Sequence, residues 1–175
     1  EGKKFAQQLL AATRIERAVK VCHAIFDPAT PDPRWPQFRR LALTDLEMAL
    51  TYDPDNAEGQ LLVARLNALP EGNAKRAVTA VEAAVRLSEK NPRLKSQALV
   101  LRGDMASDKE LKLADYDAAI ELQPDSTTAL RSRGFLFLIT DQYAKAKDDL
   151  SKAAELEPNH APTHEAMGLI LMLSK

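Results

Sequence analysis

Leu150-Ser151-Lys152-Ala153-Ala154-Glu155-Leu156-Glu157-Pro158 is one of three stretches built to a single plan. Leu46-Glu47-Met48-Ala49-Leu50-Thr51-Tyr52-Asp53-Pro54 and Tyr116-Asp117-Ala118-Ala119-Ile120-Glu121-Leu122-Gln123-Pro124 follow it too. In each, a bulky apolar residue is followed by alanine three places on, and by proline five places further. The three-residue step places the two side chains on one face of a helix, and the proline forbids that helix to continue. Pro124 and Pro158 stand 34 residues apart, a period typical of stacked helix pairs. Such arrays generally hold other proteins and do not enclose chemistry.

Composition agrees with a closely packed helical protein. The chain has 175 residues, 45% hydrophobic and 28% charged, but only 5% aromatic, which favours helices over a sheet sandwich. A net charge of −1 gives no global reason to expect nucleic acid. Charge is uneven: residues 1–40 carry eight basic and four acidic side chains, hence +4, and the remainder carries −5. Cys22 is the only cysteine, so the chain has no internal disulfide. The greasiest run, Gly168 to Leu173, falls far short of the ~20 residues that span a bilayer.

Periodicity and punctuation predict nine helices and no strand. Residues 3–26 read as one long helix with a stripe of Phe5, Leu9, Ala12, Ile15, Val19, Cys22 and Phe26. Pro28, Pro31, Pro33 and Pro36 then crowd one stiff loop, which Trp35 and Phe38 pin to its neighbours. A second helix, 36–52, turns Leu41, Ala42, Leu46, Ala49 and Leu50 inward. Helices follow at 57–69, 73–89, 94–106, 108–122, 127–140, 143–156 and 161–173. Asp53-Pro54-Asp55-Asn56, Asn91-Pro92, Pro124-Asp125-Ser126 and Pro158-Asn159 separate the pairs, with Asn56 offered as a cap, and Pro70-Glu71-Gly72 parts the two helices of the second pair.

Residues 127–160 resemble the tetratricopeptide repeat, a 34-residue helix-turn-helix unit. Leu130, Gly134, Phe137, Ala146, Leu150, Ala153 and Pro158 stand at the fourth, eighth, eleventh, twentieth, twenty-fourth, twenty-seventh and thirty-second positions. Gly134 and Ala146 lack bulk where the two helices cross, and Phe137, Leu150 and Ala153 fill the space between pairs. Residues 96–126 are similar to a copy shortened by three, carrying Leu99, Gly103, Tyr116, Ala119 and Pro124, with Lys112 in place of the small twentieth residue. Residues 57–95 carry Ala64, Ala77, Val81 and Ala84, and 161–175 form a half repeat with Gly168 and Leu171. Residues 1–56 are a divergent helix pair. The resemblance implies an all-α fold, a right-handed superhelix of antiparallel helix pairs, as one array over 1–175. The opening Glu1 and the halt at the fifteenth position of a repeat lead us to expect a longer parent protein.

The resemblance further implies a concave groove lined by the first helices. Its positions fall on Leu61, Leu62 and Arg65; on Val100, Leu101 and Asp104; on Arg131, Ser132, Phe135, Leu138 and Ile139; and on Glu165 and Leu169. Phe135 with Arg131 leads this set, since aromatic and arginine side chains dominate interface energies. The family's clamp for a terminal carboxylate is absent: Leu61, Arg65, Leu101, Thr128 and Ser132 occupy its positions.

The remaining motifs favour structure over chemistry. His160 and His164 are four apart, but Pro162 separates them at a helix start, so no metal site is expected. Cys22 and His23 point about 100° apart on a helix, which suits a core cysteine better than a nucleophile and its base. The Asp53–Asn56 stretch lacks the glycine and closing glutamate of a calcium loop. No glycine-rich phosphate loop exists. Aspartates and glutamates read as solvated charges beside Lys and Arg. We therefore expect no catalytic residue, metal or cofactor. The chain reads as a non-enzymatic scaffold for a protein or peptide, or for another domain of its parent chain, with no nucleic-acid partner. The alternative is a helical oligomerisation module that stacks on other copies through its end faces, supported by the unpaired last helix with Met167, Ile170, Leu171 and Leu173.

Overall fold

The computed structural model describes residues 2–26 and 32–173. Among them are nine α-helices and no strand: α1 (Gly2–Phe26), α2 (Trp35–Tyr52), α3 (Ala57–Ala68), α4 (Ala74–Leu87), α5 (Pro92–Met105), α6 (Lys109–Leu122), α7 (Thr127–Ile139), α8 (Tyr143–Leu156) and α9 (Ala161–Leu173). The chain divides into two compact units, Glu1–Leu87 and Ser88–Lys175. In the first, α1 pairs with α2 and α3 with α4; in the second, α5 pairs with α6 and α7 with α8, and α9 packs on α7 and α8. Pro28 and Pro31 of the expected stiff loop lie outside the described residues.

The proline-marked turns are nearly identical. The backbone N–H of Asp53, Gln123 and Glu157 donates to the carbonyl of Ala49, Ala119 and Ala153 at 2.9, 3.0 and 2.9 Å. The next residue is proline, and the chain bends. Asn56, Asn91, Asp108 and Ser126 then cap the following helices, each accepting from the N–H three residues on. The α3–α4 turn is tighter: Glu71 sits at φ 60°, and a side chain on Gly72 would run within 2.1 Å of the Asn67 carbonyl oxygen.

Each pair in the second unit crosses at a glycine. A Cβ on Gly134 would stand 2.8 Å from Leu150 Cγ, and one on Gly103 would stand 2.7 Å from Tyr116 Cε1. Leu150 is fully buried and Tyr116 nearly so, so neither can move aside cheaply. Lys112 does not prevent the α5–α6 approach, because its Nζ reaches outward to the Asp104 carbonyl at 3.4 Å. Phe137, Ala146, Leu150, Ala166 and Ile170 make one core, flanked by Phe135, Leu138, Tyr143 and Met167. Ile170 and Met167 are thus committed to packing, contrary to expectation, whereas Leu171, Met172 and Leu173 stay exposed. A Cβ on Gly168 would meet nothing within 4 Å.

The inward face of α1 also differs from the expected stripe. Ala11, Ile15, Ala18 and Cys22 are buried, while Phe5 and Leu9 are 69% and 60% exposed. In α2, Leu41 is exposed, and the buried set is Ala42, Asp45, Leu46 and Ala49. Small alanines let α1 and α2 close up, and α1 has 25 residues against 18, so part of it extends past its partner.

Three aspartates expected on solvated faces are buried instead. Asp45 accepts from Arg14 and Arg17, Asp115 from Arg102, and Asp149 from Arg133 through both carboxylate oxygens at 2.7 Å. Arg133 also reaches Asp117, and these two carboxylates raise its pKa above the ordinary guanidinium range. Each aspartate lies four residues before the alanine of its stretch. Where α3 and α4 cross, the same two positions hold Val63 and Ala80, both buried.

The crossings make substitution effects predictable. Gly134→Ala should cost about 1–3 kcal/mol, only partly offset by the ~1 kcal/mol helix preference of alanine, whereas Gly168→Ala should be neutral or stabilising by up to about 1 kcal/mol. Urea unfolding followed by circular dichroism measures both; an equal loss at Gly168 would show that face to be covered. Asp149→Ala should cost about 1–3 kcal/mol by leaving Arg133 with Asp117 alone, and Arg133→Val with Asp149→Ala should recover at least half of it, as the Val63–Ala80 crossing suggests.

Candidate interaction surface

With each second helix packed on its own pair, part of the accessible surface falls on the first helices. In the second unit these are α5, α7 and α9. Asp104, Glu165 and Leu169 are exposed there, and Leu101, Arg131, Phe135 and Leu138 are half-buried. Asp104 joins α5 to its neighbours: its Oδ1 accepts from the Tyr116 hydroxyl at 2.7 Å and from Ser132 Oγ at 3.3 Å. Burial, and then this bond to Asp104, raise the Tyr116 pKa above its usual value.

Arg131 and Phe135 do not form a free pair. The Arg131 side chain is only 15% exposed and is held by Glu157 beyond the end of α8. Glu157 also accepts from the Thr127 hydroxyl, and these two bonds hold its carboxyl below the usual range. Phe135 rests one side on the α7–α9 core and leaves the other accessible. Val100, assigned to the groove by position, is buried at 4% exposure, while Ile139 projects into solvent.

In the first unit the sequence assignment changes further. Leu61 and Leu62 are core residues, and Leu61 is only 4% exposed, so neither presents a free side chain. Arg65 does. Its guanidinium lies 4.3 Å from the centroid of the Phe26 ring, at the end of α1. Between α1 and α3 a cleft of about 330 Å³ is lined by Val19, Cys22, His23, Phe26, Leu62 and Arg65. A second depression of about 310 Å³, along the same two helices, is lined by Ala12, Ile15, Glu16, Val19, Asn56 and Glu58. The α1 side of this surface was not legible from the repeat pattern, which α1 does not follow.

The chemical candidates are separately engaged. His160 Nδ1 lies 2.7 Å from Thr163 Oγ1, and His164 Nε2 donates to the Pro158 carbonyl at 2.7 Å. No group of three His, Cys, Asp or Glu side chains that could hold a metal occurs among the described residues. Cys22 is buried, and burial pushes its thiol up to about 11. No helix among the described residues is long and apolar enough to cross a membrane.

Comparison with solved structures shows this to be the tetratricopeptide-repeat fold, an all-α array of helix pairs. The crystal structure of the MamA protein matches with a TM-score of 0.66 at 16% identity, covering 94% of this chain and 82% of that one. A thermophilic TPR protein of Thermus thermophilus matches at 0.65 and 20% identity, covering 93% and 81%. YrrB, described as a TPR protein with an unusual peptide-binding site, matches at 0.56 and 20%, covering 90% and 84%. By sequence, the chain is 31% identical over 93 residues to the human mitochondrial import receptor subunit TOM70. That stretch is 51% of this chain but only 15% of the receptor. No family model matches the sequence.

The state of Cys22 gives a direct check on the α1–α3 cleft. With its thiol held neutral up to about pH 11, Cys22 should react with a thiol reagent at pH 8 roughly a hundredfold more slowly in the native protein than in urea. Reaction at the unfolded rate would mean that α1 does not pack as described.

Proposed function

We propose that this chain is a non-catalytic interaction scaffold whose first helices hold a segment of a partner protein, or of another domain of its own parent chain. The observation that carries this reading is the set of accessible and half-buried apolar side chains on first helices whose backbones are fixed by their own pairs. In the second unit the surface is Leu101, Phe135, Leu138 and Leu169, edged by Asp104 and Glu165. In the first unit it is Arg65 and the cleft beside it. A rigid helical face that already exists before binding spares the partner part of the ordering cost. The peptide-binding site ascribed to YrrB and the sequence likeness to an import receptor subunit both support this class of function.

A second reading rests on α9, where Leu171 and Met172 are 59% and 73% exposed beside the open Gly168 position. An assembly module would bury that face against another copy.

One experiment separates the two. Peptides selected from a random displayed library on the purified chain should bind a monomer, and Phe135→Ala should weaken them about tenfold without loss of helicity. Binding indifferent to both Phe135→Ala and Leu169→Ala would retire the scaffold surface of the second unit. A concentration-dependent dimer in light scattering, abolished by Leu171→Glu, would favour assembly.

A further inference from the structure

Several arginines of the first unit are held by oxygen acceptors, whereas Arg65, which lines the α1–α3 cleft, is not. Arg14 and Arg17 share Asp45, Arg34 holds Asp32, and Arg39 donates to the Pro70 and Glu71 carbonyls at 2.8 and 2.9 Å. Arg65 has no acceptor among the described residues. Phe26 lies against its guanidinium but accepts none of its N–H groups conventionally. The group is reachable by solvent yet hemmed in by the walls of the cleft, and this desolvation lowers its pKa from the ordinary value. Cys22 beside it supplies no counter-charge, being a neutral thiol at physiological pH.

The geometry points to an acidic side chain of an extended partner segment as the occupant of the α1–α3 cleft, its carboxylate on Arg65 and a neighbouring aliphatic residue against Val19. This rests on the scaffold reading and names the chemistry that one part of the surface would select. A guanidinium that no oxygen engages keeps its N–H groups free for a two-pronged bond to a carboxylate. The partial desolvation of the guanidinium in the cleft strengthens that bond.

The far end of the groove sets a second requirement. Glu16 is already paired with Lys20 at 2.9 Å, and Asn56 is spent capping α3. Glu58 has no ion pair among the described residues. Glu58 and Arg65 are seven positions apart on α3, nearly two full turns, so they share a face about 10 Å apart along the axis. An extended chain covers that distance in roughly three residues. The favoured segment therefore carries an acid and a base three residues apart, the acid at Arg65 and the base at Glu58. A polyanion fits poorly, since one cation is followed by a carboxylate.

The test uses the full chain and fluorescent peptides blocked at both termini, so that no terminal carboxylate contributes. One peptide carries Leu-Glu-Ser-Ser-Lys; its analogues replace Glu by Gln, or Lys by Ser. The Glu peptide should bind at least about tenfold more tightly than the Gln analogue. Arg65→Gln should abolish that difference with helicity unchanged, and Glu58→Gln should abolish the preference for Lys over Ser. Equal affinity for the Glu and Gln peptides, no measurable binding of either, or a Glu preference that survives Arg65→Gln would overturn the assignment. If library-selected peptides still depend on Phe135 in that event, the scaffold reading stands and only the cleft is wrongly assigned.

Discussion

Leu150 occupies the volume that a side chain on Gly134 would need, and the second unit is organised around that substitution of one residue's space by another's. Tyr116 does the same against Gly103. Close approach of the backbones turns two short helices, each marginal alone, into one stiff hairpin. Alanine serves where glycine is absent: Ala64 in α3 and Ala77 in α4 are fully buried. Once a hairpin is locked by its own crossing, its first helix retains a face that the pair does not consume. The surface proposed to bind is what this packing leaves over.

The crossing also explains the buried charges. The residue before each glycine, Arg102 or Arg133, faces the residue one turn ahead of the partner helix's alanine, Asp115 or Asp149. A carboxylate enclosed there is tolerable only with its guanidinium, so the two must be present or absent together. The α3–α4 pair, with Val63 and Ala80, has neither. Energetically the two solutions are close, because desolvation of an ion pair consumes much of its attraction. What the charged version adds is direction: two parallel bonds define the angle between helices more narrowly than an apolar contact does.

Much of this was legible in the amino-acid sequence. Recurrent prolines and alanines mark all nine described helices, with ends displaced by no more than two residues, because a proline and a cap are local chemistry. The phase of α1 was misread for a physical reason. Large apolar residues dominate a hydrophobic stripe, but the face that packs on α2 is the one whose small residues, Ala11 and Ala18, permit contact. The buried aspartates did leave a signal: Asp45, Asp115 and Asp149 recur four places before alanine in the three stretches that define the fold. Their partners lie 13 to 31 residues away, and no local pattern announces that pairing. The commitment of Arg131 to Glu157, across 26 residues, was hidden in the same way.

The departure of α1 from the repeat pattern is itself informative. The first helices α5 and α7, of 14 and 13 residues, present polar positions to neighbours that already satisfy them, as Asp104 and Arg131 show. The longer α1 instead ends on Phe26, an aromatic face without a hydrogen-bond acceptor, set against Arg65. A regular helix with a carboxylate at that position would have neutralised the arginine internally, as Asp45 neutralises Arg14 and Arg17. Replacing an internal partner by a ring preserves the orientation of the guanidinium while leaving its strongest interaction unmade. The unmatched guanidinium of the first unit thus stands where the repeat is least regular, beside a helix that does not follow the repeat pattern.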